Sequence, residues 1–194
     1  MSDATENQQA LQREAELLLR ETPLLEMLSR MGTPIRTGSS VTGLMAYPDI
    51  DFAVQHEDPD FGEATRLVPE ACERLGATAV KIADFTAAEG ESAAFYVGIE
   101  MPFRGRVWHI DATITKPGPI ATNPPEMAGW LEDMSDAQRE TILVLKRQLI
   151  DAGRYVGARS RPPYTFRSAH LYEAVLQGDA ASVSDLEKYY ASGK

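Results

Sequence analysis

Residues 38–54 read GSSVTGLMAYPDIDFAV, a turn of small residues followed by a short strand that carries two acids. From Ile50 to Val54 apolar residues alternate with other residues, which is the period of a β-strand with one apolar face. Asp49 and Asp51 therefore share the opposite face, about 6.5 to 7 Å apart. Carboxylates at this spacing suit one or two Mg²⁺ ions held between them.

The turn at the start of this stretch consists of Gly38, Ser39 and Ser40. Small residues allow the phosphates of a ligand to approach backbone N–H groups closely, and the two hydroxyls add further donors. Metal ions held by neighbouring carboxylates can clamp the oxygens that attack and leave in a phosphoryl or nucleotidyl transfer. The turn and the acids together predict a site for Mg²⁺ and a phosphate-bearing ligand.

A β-hairpin is predicted further along the chain, from Ala93–Phe103 and Arg106–Thr115 joined by a two-residue turn at Arg104-Gly105. The register that makes the apolar faces of the two strands coincide sets Gly98 beside Asp111 and leaves room next to this acid. The same register pairs Met101 with Trp108, Ile99 with Ile110, Glu100 with His109 and Tyr96 with Thr113. Asp111 is thus the candidate third acid of the site, and Glu100 and Asp84 are its rivals.

The rest of the chain completes an α/β (α+β) fold, a mixed sheet flanked by helices and followed by a C-terminal helical unit. Helical patterns cover residues 10–31, 61–75, 136–152, 165–177 and 183–190, and further strands are predicted at 34–37 and 78–85. A proline-rich stretch between Pro117 and Pro125 is typical of a linker. We therefore predict a core with an N-terminal helix at 1–118 and the helical unit at 119–194.

Composition limits the classes of function. The chain has 194 residues, 43% of them apolar and 25% charged, as expected for one catalytic domain with a small appendage. No apolar run approaches the roughly 20 residues that cross a bilayer, and the first residues lack a secretion signal. We therefore expect a cytoplasmic protein without a membrane partner. The single cysteine, Cys72, is expected to be buried in a helix.

The net charge of −10 disfavours long nonspecific contacts with nucleic acid but is compatible with a nucleotide bound through metal ions. One segment departs from this balance: between residues 152 and 172 there are four arginines and no acid, the arginines being Arg154, Arg159, Arg161 and Arg167. They could reach the phosphates of a ligand, such as a triphosphate or an RNA end, or they could pair with the acidic remainder of the chain.

The motifs together resemble the nucleotidyltransferase superfamily, which includes the polymerase-beta catalytic core, the aminoglycoside and lincosamide nucleotidyltransferases and minimal bacterial forms. The resemblance rests on Gly38-Ser39, nine intervening residues, Asp49-Ile50-Asp51-Phe52, and Asp111 on a later strand. It implies that Gly38 and Ser39 hold a nucleoside triphosphate, that Asp49 and Asp51 bind Mg²⁺, and that Asp111 binds metal and activates the acceptor hydroxyl.

The resemblance also implies a basic C-terminal residue at the phosphates, and Lys146 is the candidate. The implied reaction transfers a nucleoside monophosphate from an NTP, expected to be ATP, to a hydroxyl and releases pyrophosphate. The acceptor remains open among a small molecule, RNA and protein, and so does the oligomeric state. The alternative is a noncatalytic nucleotide-binding or partner-binding module of the antitoxin or regulatory type on the same fold.

Several other side chains have two interpretations. His109 faces the same side as Asp111 and could touch substrate, but pairing with Glu100 is favoured. Tyr47 and Tyr96 could stack a base or fill the rim of the sheet.

Overall fold

The computed structural model describes residues 2–85, 93–120, 126–157 and 159–192. The chain divides into two compact units: Ala10–Ile120 forms one, and Met1–Gln9 together with Ala121–Lys194 forms the other. None of the helices in the described ranges is long and apolar enough to cross a bilayer. The extent of the catalytic core, predicted as residues 1–118, stays a prediction.

The strands of the described residues form one five-stranded sheet. They are β1 (Thr33–Thr37), β2 (Asp49–Gln55), β3 (Ala79–Asp84), β4 (Ala93–Phe103) and β5 (Arg106–Thr115). Their order is β1-β2-β5-β4-β3, with β2 parallel to β5 and the other neighbouring pairs antiparallel. The predicted mixed sheet is confirmed.

Eight helices are described. They are α1 (Asp3–Glu21), α2 (Leu24–Ser29), α3 (Ser39–Thr42), α4 (Phe61–Arg74), α5 (Met127–Glu132), α6 (Asp136–Asp151), α7 (Ser168–Gly178) and α8 (Val183–Ala191). Helices α2, α4, α6, α7 and α8 match predicted helical stretches to within a few residues. Helix α1 begins seven residues before the stretch predicted at 10–31, and α3 and α5 were not predicted. The four residues of α3, Ser-Ser-Val-Thr, have low intrinsic helix propensity and are too few to show a helical period. The sequence therefore did not predict this helix.

One face of the sheet supplies the core of the first unit. Ile50, Val54, Trp108 and Ile110 on β2 and β5 are fully buried, and they join a single apolar cluster with side chains of α1, α2 and α4. Burying such a side chain contributes about 1.5 to 3 kcal/mol. Because side chains alternate along a strand, the acids between these positions lie on the opposite face.

The hairpin of β4 and β5 has the predicted register, including Gly98 opposite Asp111 and Met101 opposite Trp108. Its turn places Arg104 at φ +49° and Gly105 at φ +80°. A two-residue hairpin turn of type I′ requires this left-handed backbone at both positions. The turn and the matching apolar faces together fix where Asp111 lies on the sheet.

One sequence prediction is wrong. Cys72 is exposed, although it was expected to be buried in a helix. Helix α4 buries Ala64, Leu67 and Ala71, which lie on one side of the helix. Position 72 is rotated by about 100° from position 71 and therefore faces solvent.

The second unit is helical. Helix α6 begins with a capping box, in which Ser135 and Gln138 satisfy each other's backbone N–H groups. The buried apolar side chains of the second unit come from α6, α7, α8 and the segment before α7, among them Ile142, Leu149, Phe166, Leu171 and Leu186. Of the predicted linker, residues 121–125 lie outside the described residues.

Candidate active site

The parallel pairing of β2 with β5 brings the predicted acids together. It places Asp51 directly beside Asp111 and Asp49 beside His109. Asp49, Asp51 and Asp111 each offer one carboxylate oxygen, and these three atoms all lie within 4.8 Å of one another. Asp49 is only 8% exposed, and the other two acids are half-buried.

Three carboxylates this close repel one another unless a cation balances their charge. Carboxylate oxygens are the hard ligands that Mg²⁺ prefers, and they come here from a rigid sheet rather than from loops. The donor set therefore fits one or more Mg²⁺ ions.

The turn after β1 lies against the second acid. Thr37, the last residue of β1, pairs with Asp51, and Gly38 follows with φ +66°. A Cβ at position 38 would lie 1.9 Å from Oδ2 of Asp51. The small residues of the turn predict room for ligand phosphates, but the Asp51 carboxylate itself already requires a glycine at position 38.

The two serines that follow are held within the turn. The Ser40 hydroxyl donates to the Thr37 carbonyl oxygen at 3.2 Å, and the Gln12 side-chain amide of α1 donates to the Ser40 carbonyl oxygen at 2.8 Å. Ser39 and Ser40 are 9% and 1% exposed. These bonds fix the backbone of the turn, and contact of either serine with a ligand stays a prediction.

Two solved structures resemble the chain in fold. The polymerase core of TRAMP, an RNA surveillance complex, matches with a TM-score of 0.60 and 17% identity, over 84% of this chain and 49% of its own. The non-canonical poly(A) polymerase complex GLD-2–GLD-3 matches with a TM-score of 0.52 and 15% identity, over 94% of this chain and 61% of its own. Both are polymerase-beta-like nucleotidyltransferases. This chain has the nucleotidyltransferase fold.

The chain spans about half to three-fifths of the length of these two structures. No protein-family model matches it, and no curated protein matches it at a significant level. At this low identity the likeness establishes the nucleotidyltransferase fold alone. The roles of individual residues rest on the geometry of the site.

Glu100 and Asp84, the alternative candidates for the third acid, do not belong to the group formed by Asp49, Asp51 and Asp111. Glu100 lies beside His109 as predicted, with 3.7 Å between its Oε1 and the His109 Nδ1. Asp84 ends β3, two strands away from Asp111.

Tyr96 is a site residue whose role the sequence reasoning missed. Its hydroxyl donates to Oδ1 of Asp111 at 2.7 Å, so it does not simply fill the rim of the sheet. Burial, followed by the hydrogen bond to Asp111 and the charges of the three acids, raises the pKa of Tyr96 above its usual value. The signal in the sequence is Gly98, because the space beside Asp111 in the predicted register is filled by this ring.

Lys146 lies in the second, helical unit of the chain and is buried, at 1% exposure. Its Nζ is 3.4 Å from the Tyr172 hydroxyl, and it lies 5.6 and 5.7 Å from the ring centroids of Tyr155 and Tyr172. The aromatic rings therefore offer the ammonium group cation–π contacts. Its contact with nucleotide phosphates stays a prediction.

The arginine segment of the second unit has two kinds of members. Arg154 forms an ion pair with Glu187 at 2.7 Å and donates to the carbonyl oxygens of Pro163 and Tyr164. For Arg154, pairing with an acid of the same chain is therefore the interpretation that the structure supports. Arg159 and Arg161 have exposed side chains.

Proposed function

We propose that the protein is a Mg²⁺-dependent nucleotidyltransferase that moves a nucleoside monophosphate from an NTP, preferentially ATP, to an acceptor hydroxyl and releases pyrophosphate. The group of three carboxylates beside the Gly38 turn, on a nucleotidyltransferase fold, is the observation that carries this proposal. The assignment of residues 1–118 to the catalytic core and a location in the cytoplasm belong to the same proposal.

In this proposal Asp49, Asp51 and Asp111 would hold the metal, and the bound ion would supply charge neutralisation for the phosphates. Backbone N–H groups of Gly38 and Ser39 bind the triphosphate and fix the α-phosphorus near the acids. Asp111 orients the acceptor hydroxyl and takes its proton. The acceptor oxygen bonds to the α-phosphorus as the bond to the β-phosphate oxygen breaks, so the chain contributes mainly positioning and charge balance.

The reaction is tested by incubating the protein with acceptor pools and NTP labelled at either the α- or the γ-phosphate. We expect transfer of the α-label alone, dependent on Mg²⁺, with one pyrophosphate released per transfer. Tight NTP binding that is independent of Mg²⁺ and gives no transfer would contradict the proposal and favour the noncatalytic binding module.

We further propose that Lys146 binds the triphosphate, as the resemblance implies. Replacing it in Lys146→Met removes the charge but keeps an unbranched apolar side chain in the buried position. We expect NTP affinity to fall about 10- to 100-fold, since a charge-assisted hydrogen bond is lost. The melting temperature should change little, because removal of a buried charge offsets the lost contacts with Tyr172 and Tyr155.

Isothermal titration with NTP and Mg²⁺, together with thermal melts, measures both effects for Lys146→Met. Lys188→Met is the matched control, since the Lys188 side chain is 76% exposed in the same unit. Wild-type NTP affinity in Lys146→Met would contradict the assignment.

RNA is the acceptor we propose, because Arg159 and Arg161 present exposed guanidinium groups in an acid-free segment and guanidinium groups recognise phosphates bidentately. The two structures of similar fold are the polymerase core of an RNA surveillance complex and a poly(A) polymerase complex. A small-molecule or protein acceptor is the other outcome of the test.

The Arg159→Gln/Arg161→Gln variant is expected to bind single-stranded RNA more weakly and with less dependence on salt. Removing two phosphate contacts should reduce the slope of log affinity against log salt by about 1.4. Fluorescence anisotropy with a labelled RNA across a salt series measures this slope. The double variant Arg20→Gln/Arg147→Gln is the control, because both arginines are more than half exposed. Equal slopes for the two variants would contradict an RNA role for the arginine segment.

A further inference from the structure

A tyrosine hydroxyl lies against the third acid of the site. Tyr96 on β4 donates to Oδ1 of Asp111 at 2.7 Å, although the residue directly opposite Asp111 on β4 is Gly98. Tyr96 itself pairs with Thr113, and Gly98 lies two residues further along β4 on the same face. The half-buried phenol of Tyr96 therefore extends along the strand, over Gly98, to reach Asp111. It reaches the carboxylate from the side of β4, whereas Asp51 lies on the side of β2.

Two neighbours confine this ring. A Cβ at position 98 would lie 2.5 Å from the Tyr96 Oη and 3.0 Å from its Cζ, so the ring occupies space that only a glycine leaves. Lys81 pairs with Gly98 across β3 and β4, and its Nζ lies 5.5 Å from the ring centroid of Tyr96. The phenol is therefore fixed by the fold at the point where its hydroxyl meets Asp111.

We propose that Tyr96 is a positioning residue, which holds Asp111 beside Asp49 and Asp51 in the orientation that binds metal. Without a donor on its outer side, Asp111 can swing away from two like charges that lie within 4.8 Å. The phenol opposes that movement and, being neutral, leaves the negative charge of the carboxylate available to a cation. The inference rests on the proposed function, because that function makes Asp111 a metal ligand.

The test compares Tyr96→Phe with wild type by the Mn²⁺ affinity of the protein, measured from the electron paramagnetic resonance signal of free Mn²⁺. Loss of a hydrogen bond to a metal-binding carboxylate typically lowers metal affinity about 10- to 100-fold, and this is the expected result. Mg²⁺ should also perturb the ultraviolet spectrum of a tyrosine in wild type, and this change should be missing in Tyr96→Phe. A purely structural role would leave the Mn²⁺ affinity of the folded Tyr96→Phe protein unchanged.

Tyr190→Phe is the matched control, since its hydroxyl donates to Glu173 at 2.8 Å in the other unit. It removes the same kind of bond and should leave Mn²⁺ affinity unchanged. Gly98→Ala is the second variant, in case Tyr96→Phe fails to fold, and its added methyl group should displace the phenol and lower Mn²⁺ affinity to a similar degree.

The outcomes separate this inference from the proposed function. Wild-type Mn²⁺ affinity in both Tyr96→Phe and Gly98→Ala would overturn the positioning role while the metal site stands. Failure of the wild-type protein itself to bind Mn²⁺ would overturn the metal site and the positioning role together.

Discussion

The Asp51→Asn protein is expected to transfer the α-label at least about a hundredfold more slowly than wild type, and yet to melt at a higher temperature in the absence of metal. Asparagine keeps the shape of the side chain at the centre of the row formed by Thr37, Asp51 and Asp111. It removes one of the three charges that hold the cation, so activity falls although the fold is retained.

The gain in stability has the same cause as the loss of activity. Like charges within 4.8 Å of one another repel by roughly 3.5 kcal/mol or more at an effective dielectric constant of 20, and one charge fewer relieves part of this repulsion. Each kcal/mol shifts the melting temperature of a chain of this size by about 2 to 4 °C. Mg²⁺ should raise the melting temperature of wild type by mass action and should do so much less in the variant.

The measurements are label transfer and thermal melts with and without Mg²⁺. Asp58→Asn is the matched control, because it neutralises an exposed acid of the same unit outside the site. Full activity in Asp51→Asn would contradict a catalytic metal site, and a lower metal-free melting temperature would contradict the repulsion among the three acids.

The second large effect is expected in Gly38→Ala. The added methyl group would lie 1.9 Å from Oδ2 of Asp51, and the neighbouring atom is a carboxylate of the site. Either Asp51 moves away from Asp49 and Asp111 or the turn moves, and both changes damage the metal and triphosphate contacts. We expect activity to fall at least about a hundredfold, as for loss of an essential transition-state contact.

A control at a second glycine with positive φ shows what the substitution costs away from Asp51. Gly76 has φ +62°, close to the +66° of Gly38, but nothing lies within 4 Å of a Cβ built there. The positive φ should cost Gly76→Ala about 1 kcal/mol, and Gly38→Ala should lose more, because ψ −153° at Gly38 lies in a backbone region that is essentially restricted to glycine. Only Gly38→Ala should lose Mn²⁺ affinity and label transfer. Equal activities in the two variants would show that the approach of Gly38 to Asp51 has no role in catalysis.

Much of the site follows from local sequence rules. The alternation in β2 places Asp49 and Asp51 on one face, and the hairpin turn with its matching apolar faces fixes Gly98 beside Asp111. These relations depend on residues close in sequence, so period and turn chemistry are sufficient to predict them.

The pairing of Asp51 with Asp111 could not be derived in this way. It depends on the parallel contact between β2 and β5, which joins strands separated by α4, β3 and β4. The residue pattern of a strand does not show which other strand it pairs with. Only the resemblance to a known family predicted that the three acids lie together. The same limit applies to Tyr96, because the direction in which its side chain extends depends on the packing of Lys81 and Gly98.

The most direct measurement of the central claim is the anomalous scattering of Mn²⁺ in crystals of the protein soaked with Mn²⁺ and a nonhydrolysable ATP analogue. We predict an anomalous peak bounded by the carboxylates of Asp49, Asp51 and Asp111, with the triphosphate of the analogue against the Gly38 turn. Occupied nucleotide without a Mn²⁺ peak at these three acids would contradict the account.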